Sequence, residues 1–294
     1  MTEKRHSIDV SFLKELDRFS FMVRKRVSSV YAGSRRSIHS GKGLDTRGYR
    51  EYHWGDEPRT IDWNAYARTE KLYVREFEES KSLTNHILLD ASNSMEYSSD
   101  GPTKFEYGAM LAIGFAYLVT KDNDKFAIST FATNVSFSQP KRGRKYLLRA
   151  IDRLAEAETG GETSIEECVK QYEKAIRSRS LAIIISDFLD DPKSIESAIY
   201  RLSIHELIVI QVMDKTEKDL QIDGLAKLTD MESGEELQTY VSKNFQKNYQ
   251  ELLNEHVYRI QQACDHVGAD FYQFSNDKPI FEAFLETLSS RRRW

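Results

Sequence analysis

The chain has 294 residues, with 42 Lys and Arg against 46 Asp and Glu and a formal net charge of −4. That near-balance excludes the strong electropositive bias of a dedicated nucleic-acid binder, and the length supplies core enough for one large domain or two modest ones without a disulfide or metal staple. The only cysteines, Cys168 and Cys264, are far apart and outside any CxxC or Cys/His cluster, which argues against a disulfide framework, a structural zinc site or an iron–sulfur centre and points to a cytoplasmic protein.

The N-terminus opens with charge and runs into an amphipathic segment instead of an apolar core, so no secretory signal is expected. Over 11–27 the residues Phe12, Leu13, Leu16, Phe19, Met22, Val23 and Val27 recur at helical spacing, with Asp9 or Ser11 available as the cap. The Gly-, Ser- and Arg-rich stretch 32–48 has no period and several breakers, and is expected to be a loop. Beyond Thr84 the pattern changes to alternating buried strands and helices, the mark of βαβ units and of a mostly parallel sheet covered on both faces. Strands are expected over 86–90, 126–131, 181–186, 207–213 and 269–274, with a short edge strand at 134–138. Helices are expected over 104–120, 143–157, 164–178, 192–202, 243–266 and 279–291. Segments 225–230 and 236–240 read as a β-hairpin inserted before the long helix. The longest apolar runs, 111–119 and 181–185, fall well short of the roughly 20 residues that span a bilayer. The expected organisation is an N-terminal helical and irregular extension, 1–82, packed on an α/β domain of doubly wound type, 83–294.

In such a sheet the ligand crevice forms beyond the carboxyl ends of the strands, where strand order reverses. The first buried strand ends in Asp90, followed by Ser92 and Ser94 at alternating positions of one loop; the strand over 181–186 is followed by Asp187 at the same edge. Thr163, after the Gly160-Gly161 pair, adds a hydroxyl on a loop whose glycines permit close backbone approach. Taken singly, each is an ordinary capping or turn residue. Together they are two carboxylates and three hydroxyls from three loops that this fold brings to one crevice, an all-oxygen set that suits Mg²⁺, or Mn²⁺, better than zinc or copper.

Asp90-Ala-Ser92-Asn-Ser94, followed by Thr163 and Asp187, resembles the metal-ion-dependent adhesion site of von Willebrand factor A-type domains. The segment carrying Arg50, Tyr52, Trp54, Asp56, Arg59, Asp62, Trp63 and Arg68, then Leu72 to Glu78, is similar to the signature of the bacterial family catalogued as domain of unknown function 58; Asp45-Thr46 stands where that signature has Glu-Phe. The resemblance implies a von Willebrand factor A-type fold and a binding module, not catalysis. Its Ser, Thr and Asp side chains would hold Mg²⁺, and an acidic side chain of a protein partner would complete the coordination. It further implies a MoxR-type AAA+ ATPase as partner, the chain acting as an adaptor in chaperone-like assembly or maturation.

Read on its own chemistry, the 50–68 segment suits a buried Arg–carboxylate network, with Asp56 and Asp62 against Arg50, Arg59 and Arg68 clamping it to the sheet and Trp54 and Trp63 supplying apolar area; the alternative is a partner-facing groove. Around Gly41-Lys42-Gly43 a phosphate loop is excluded, because Arg36 stands at the first glycine position and Gly43 at the hydroxyl position. Two rival functions remain. One is a Mg²⁺-dependent phosphohydrolase with Asp90 as nucleophile, whose weakness is Ser92 at the position where haloacid dehalogenase-like phosphatases carry the general acid. The other is nucleic-acid binding through Arg35, Arg36, Lys42 and Arg47, which the acidic net charge disfavours. The basic end Arg291 to Trp294 reads as a helix cap or a docking tail.

Overall fold

The structure is a computed structural model that describes residues 5–16, 45–56, 58–78, 84–161, 163–176, 178–220, 222, 224–229, 231 and 236–289. It divides into two compact units, one formed by the described residues of 1–18 and 83–293 and the other by those of 19–82.

In the smaller unit, β1 (Asp45–Glu51) pairs antiparallel with β2 (Tyr73–Glu78), with a register shift between Thr46 and Gly48. Between them lies α1 (Trp63–Thr69), whose cap Asp62 accepts from the backbone of Asn64 and Ala65. The expected loop over 32–48 is therefore corrected at its C-terminal end, where 45–48 are strand; 32–44 lie outside the described residues, as do Arg35, Arg36 and Lys42. The charged run Asp45 to Glu51 has no strand pattern of its own, and its conformation is decided by a partner strand more than twenty residues away.

The larger unit is a six-stranded sheet built from β3 (Thr84–Asp90), β4 (Lys125–Phe131), β5 (Val135–Ser136), β6 (Leu181–Ser186), β7 (Glu206–Met213) and, after the antiparallel hairpin β8 (Gly224–Thr229) and β9 (Glu236–Val241), β10 (Asp270–Ser275). Its order is β10-β7-β6-β3-β4-β5, parallel throughout except for the β5 edge. This is the expected α/β architecture with a doubly wound, mostly parallel sheet. Strands β3 and β6 are almost wholly buried, as the apolar runs 87–89 and 181–185 require when helices cover both faces.

One face carries α2 (Lys104–Lys121) and α8 (Ile280–Ser289). Helix α2 is buried nearly all round; Thr103 and Glu106 close a reciprocal capping box at its start, and Gly108 lies against Leu89 and Ile185 of the sheet. Residues 12–16 form a helical turn whose Phe12 stacks on Phe284 of α8. The remainder of the helix expected over 11–27 lies outside the described residues. The other face buries Leu88, Ile184 and Val209 under α4 (Ile165–Glu173), α5 (Pro192–Leu202) and α7 (Lys243–Val267). The amphipathic α3 (Arg144–Ala155) and a single short turn, α6 (Lys215–Lys218), complete the described helices. Helix α4 stops at Glu173, earlier than the expected 178, because the chain tightens there into i→i+3 bonds at Ala175 and Ile176.

Under this second face His86 is buried, its Nδ1 2.9 Å from the Tyr172 hydroxyl. Burial, reinforced by nearby His205, pushes its pKa down to about 4 from 6.5. The unfolded chain then binds the proton that the fold refuses, so stability is intact above about pH 6.5 and is lost as pH falls toward 4, by up to about 3 kcal/mol. Urea unfolding of the wild type and of His86→Gln at pH 7.0, 5.5 and 4.5 should show a shallower pH dependence in the variant; equal slopes would remove His86 as the cause.

Candidate functional site

Strand β3 is followed in sequence by β4 on one side of it in the sheet and by β6 on the other. Strand order therefore reverses at the β3/β6 junction, and the two strands splay their following loops apart there. Both carboxylates named from the sequence lie at this junction, and neither is reached by solvent: Asp90 is 0% and Asp187 1% exposed.

After Asp90 the chain turns through an extended Ser92 into a 3-10 turn, Asn93–Glu96. Asp90 Oδ1 accepts the Ser92 N–H at 2.9 Å, and Oδ2 accepts the Ser186 hydroxyl from the neighbouring strand at 2.6 Å. Ser92 and Ser94 are buried with their hydroxyl oxygens 3.0 Å apart. Burial, then the charge of Asp187, raises the Asp90 pKa to about 7, while hydrogen bonds from Ser186 and Ser92 restrain the rise.

The loop that leads to Thr163 is joined to this one by backbone pairing at its two glycines. The Gly160 N–H donates to Ala91 O at 2.8 Å, and the Asn93 N–H donates to Gly161 O at 3.1 Å. Gly161 takes a positive φ of 85°, and a Cβ there would stand 2.6 Å from Thr133 Oγ1, so the close approach needs glycine. The Thr159 hydroxyl also donates to Glu96 of the 3-10 turn. A cleft of about 790 Å³ opens beside the two loops, lined by Arg5, His6, Asn93, Glu96, Glu156 and Thr159 among others.

At the other strand end, Phe188 is buried with a φ of 53°, a left-handed conformation unusual for an aromatic residue. Three bonds hold it: its N–H donates to Ser186 Oγ at 2.9 Å, its carbonyl accepts from His256 Nε2 at 2.7 Å, and the Leu189 N–H reaches back to Asp187 Oδ1 at 3.2 Å. The Asp187 carbonyl accepts from the buried Gln211 amide at 2.9 Å. Lys104 reaches Asp187 Oδ2 at 2.7 Å and Glu217 Oε1 at 2.7 Å, and is 0% exposed.

Sequence reasoning named four of these groups at two strand ends but missed Ser186, Lys104, Glu217, Gln211 and the strained Phe188. Two signals were present: a lysine opening an otherwise apolar helix, and Asp214-x-x-Glu217, a capping box that the structure realises at α6.

The signature segment forms local bonds. Arg50 grips Asp56 with two 2.7 Å bonds, which hold the Asp56 carboxyl well below the usual carboxylate range, and Arg68 bonds the Asn64 carbonyl of its own helix. The Tyr52 N–H donates to Leu72 O, and Arg59 is exposed. The expected burial of the tryptophans is corrected: Trp54 is 99% and Trp63 60% exposed, Trp63 packing edge-on against Tyr66. Both are dictated by turn and cap geometry, since Trp54 precedes Gly55 (φ 111°) in a turn and Trp63 opens α1. Arg47 lies in β1, and Arg291 to Trp294 lie outside the described residues.

Cys168 and Cys264 are buried free thiols, pushed by burial up to about 11 and 12, and so supply no thiolate ligand at neutral pH. Among the described residues no group of three or more His, Cys, Asp and Glu is placed to hold a metal, and no helix is long and apolar enough to cross a membrane. The donor set at the β3/β6 junction is of another kind, carboxylate plus hydroxyl. The Ser92 and Ser94 hydroxyls, hydrogen-bonded to each other at 3.0 Å, and the two carboxylates are hard oxygen donors of the type that suits Mg²⁺ or Mn²⁺.

The family described as protein of unknown function DUF58 matches residues 48–259 of the chain. The uncharacterized protein Rv1480 of Mycobacterium tuberculosis is 22% identical over 275 residues, covering 92% of this chain and 87% of that protein. Among solved structures, the conserved hypothetical protein BatB from Bacteroides thetaiotaomicron matches with a TM-score of 0.43 at 14% identity, over 70% of this chain and 98% of that one. The SpRpn10 VWA domain matches with a TM-score of 0.44 at 14% identity, over 70% and 94% respectively.

Proposed function

The chain belongs to the DUF58 family, and from that premise we propose that it is a non-enzymatic, metal-dependent adaptor of von Willebrand factor A type. It captures an acidic group of a protein partner through a divalent cation held by Asp90, Ser92, Ser94, Thr163 and Asp187. The observation that carries this reading is the convergence, at the point where strand order reverses, of two buried carboxylates and the hydrogen-bonded pair of hydroxyls on Ser92 and Ser94. When bound, Mg²⁺ or Mn²⁺ supplies a Lewis-acidic position for a carboxylate oxygen from outside the chain. The protein's own part is to hold the donors rigid: Ser92 N–H and Ser186 orient Asp90, Leu189 N–H orients Asp187, and the Gly160–Ala91 pairing seats the Thr163 loop. Family resemblance nominates a MoxR-type AAA+ ATPase as the assembly served, and the buried reduced thiols fit a cytoplasmic setting.

Phosphoryl transfer lacks a partner group: Ser92, not a second carboxylic acid, stands two residues after Asp90, where haloacid dehalogenase-like phosphatases carry the general acid.

Titration calorimetry of the full chain with Mn²⁺ and Mg²⁺, followed by capture of a MoxR-type ATPase on the same samples, tests the reading. Ser92→Ala, which removes one donor and little volume, should weaken Mn²⁺ binding at least tenfold, and capture should vanish in EDTA and return with Mg²⁺. Capture indifferent to EDTA would sink the metal-dependent adaptor.

A further inference from the structure

We infer that Lys104 is a built-in counter-cation of the site, a tethered ammonium on Asp187 that holds down the affinity for a divalent ion until a partner's acid is present. This rests on the metal-site reading above and concerns a residue that the ligand set does not include. Lys104 is the first residue of α2 and is wholly buried, yet its Nζ lies 2.7 Å from Asp187 Oδ2 and 2.7 Å from Glu217 Oε1. Two carboxylates at that distance, one on either side, hold the side chain as an ammonium ion.

The ammonium cannot retreat. Its helix is pinned by the Thr103–Glu106 capping box and by the glycine contacts of Gly108 with the sheet and Gly114 with Phe284. Glu217 is equally fixed, because Oε2 accepts the Asp214 N–H at 2.9 Å in the α6 capping box and its carbonyl accepts the Tyr249 hydroxyl at 2.7 Å. A lysine anchored from both sides differs from a surface ion pair, whose partners drift in solvent.

Two consequences follow from charge alone. The metal-free site is not left with two bare buried carboxylates, since one of them is paired. A dication arriving at Asp187 meets a fixed positive charge in a poorly screened interior, so binding by the free protein is weak, and a partner carboxylate contributes negative charge as well as a ligand. Metal and partner uptake are thereby coupled, each strengthening the other.

The test measures Mn²⁺ affinity of the full chain at pH 7.5 by calorimetry, without partner, for the wild type, Lys104→Met, Lys104→Arg and the double variant Lys104→Met with Glu217→Gln. Methionine keeps length and volume while removing charge, and the double variant spares the fold an unpaired, half-buried glutamate. Folding is checked by thermal unfolding. Expected is at least tenfold tighter binding by Lys104→Met and by the double variant, with Lys104→Arg near the wild type. If the wild type binds and the folded, uncharged variants bind equally or more weakly, Lys104 only positions Asp187 and the inference is wrong, while the metal site stands. If neither the wild type nor any variant binds Mn²⁺, the metal site and the inference fall together.

Discussion

Asp90→Asn is expected to make the metal-free protein more stable at pH 8 while abolishing its stabilisation by Mg²⁺ or Mn²⁺. Asparagine can accept the Ser92 N–H as Asp90 does, and its amide can donate to the Ser186 oxygen, so both hydrogen bonds survive, the second with its direction reversed. What disappears is the buried charge. A carboxyl whose pKa is raised by folding, here from 3.8 to about 7, binds its proton more tightly folded than unfolded. Stability therefore falls as pH rises through that window, and the ionised Asp90 costs up to about 4 kcal/mol above pH 7. The gain in Asp90→Asn should appear in urea unfolding at pH 8 and shrink on acidification to pH 5. The wild type should regain stability with added Mn²⁺, and the variant should not. A variant less stable than the wild type at pH 8, or one still stabilised by Mn²⁺, would show that Asp90 is not the charged centre of the site. Such a gain of stability with loss of binding is the signature of a side chain kept for function.

The second large effect lies at the seam of α2 and α8. A Cβ added at Gly114 would stand 2.1 Å from the Cζ and 2.6 Å from the Cε2 of Phe284, closer than packing allows. The ring has no room to yield, because it stacks on Phe12 at a centroid distance of 5.9 Å and meets Phe115 edge-on at 5.1 Å. Gly114→Ala gains about 1 kcal/mol of helix propensity, yet overpacking, at the upper end of about 1–3 kcal/mol, should outweigh it and leave a net loss of about 1–2 kcal/mol. Combining it with Phe284→Leu should recover part of that loss, a positive coupling of about 1 kcal/mol or more between the two positions. Chemical denaturation of the four proteins of the cycle decides it; Gly114→Ala as stable as the wild type would mean the two helices part without penalty.

The amino-acid sequence by itself determined the sheet and the strand ends. Continuous runs such as Leu181–Ser186 admit only a strand buried on both faces, alternating with helices whose apolar stripes must cover that sheet, and the doubly wound order carries Asp90 and Asp187 to one edge whatever the details of the loops. The hydroxyls were legible because Ser92 and Ser94 are tied to Asp90 within a single turn. Tertiary structure alone decided the rest. Asp45–Glu51 carries no local strand signal and becomes one by pairing with Tyr73–Glu78. Trp54 and Trp63 stay exposed because turn and cap geometry, not hydrophobicity, sets their direction. Ser186 meets Asp90, and Lys104 meets Asp187 and Glu217, across 96, 83 and 113 residues of chain. Periodicity reports which face a residue takes. It carries no record of which charges meet in the interior, because that depends on how distant elements are brought together.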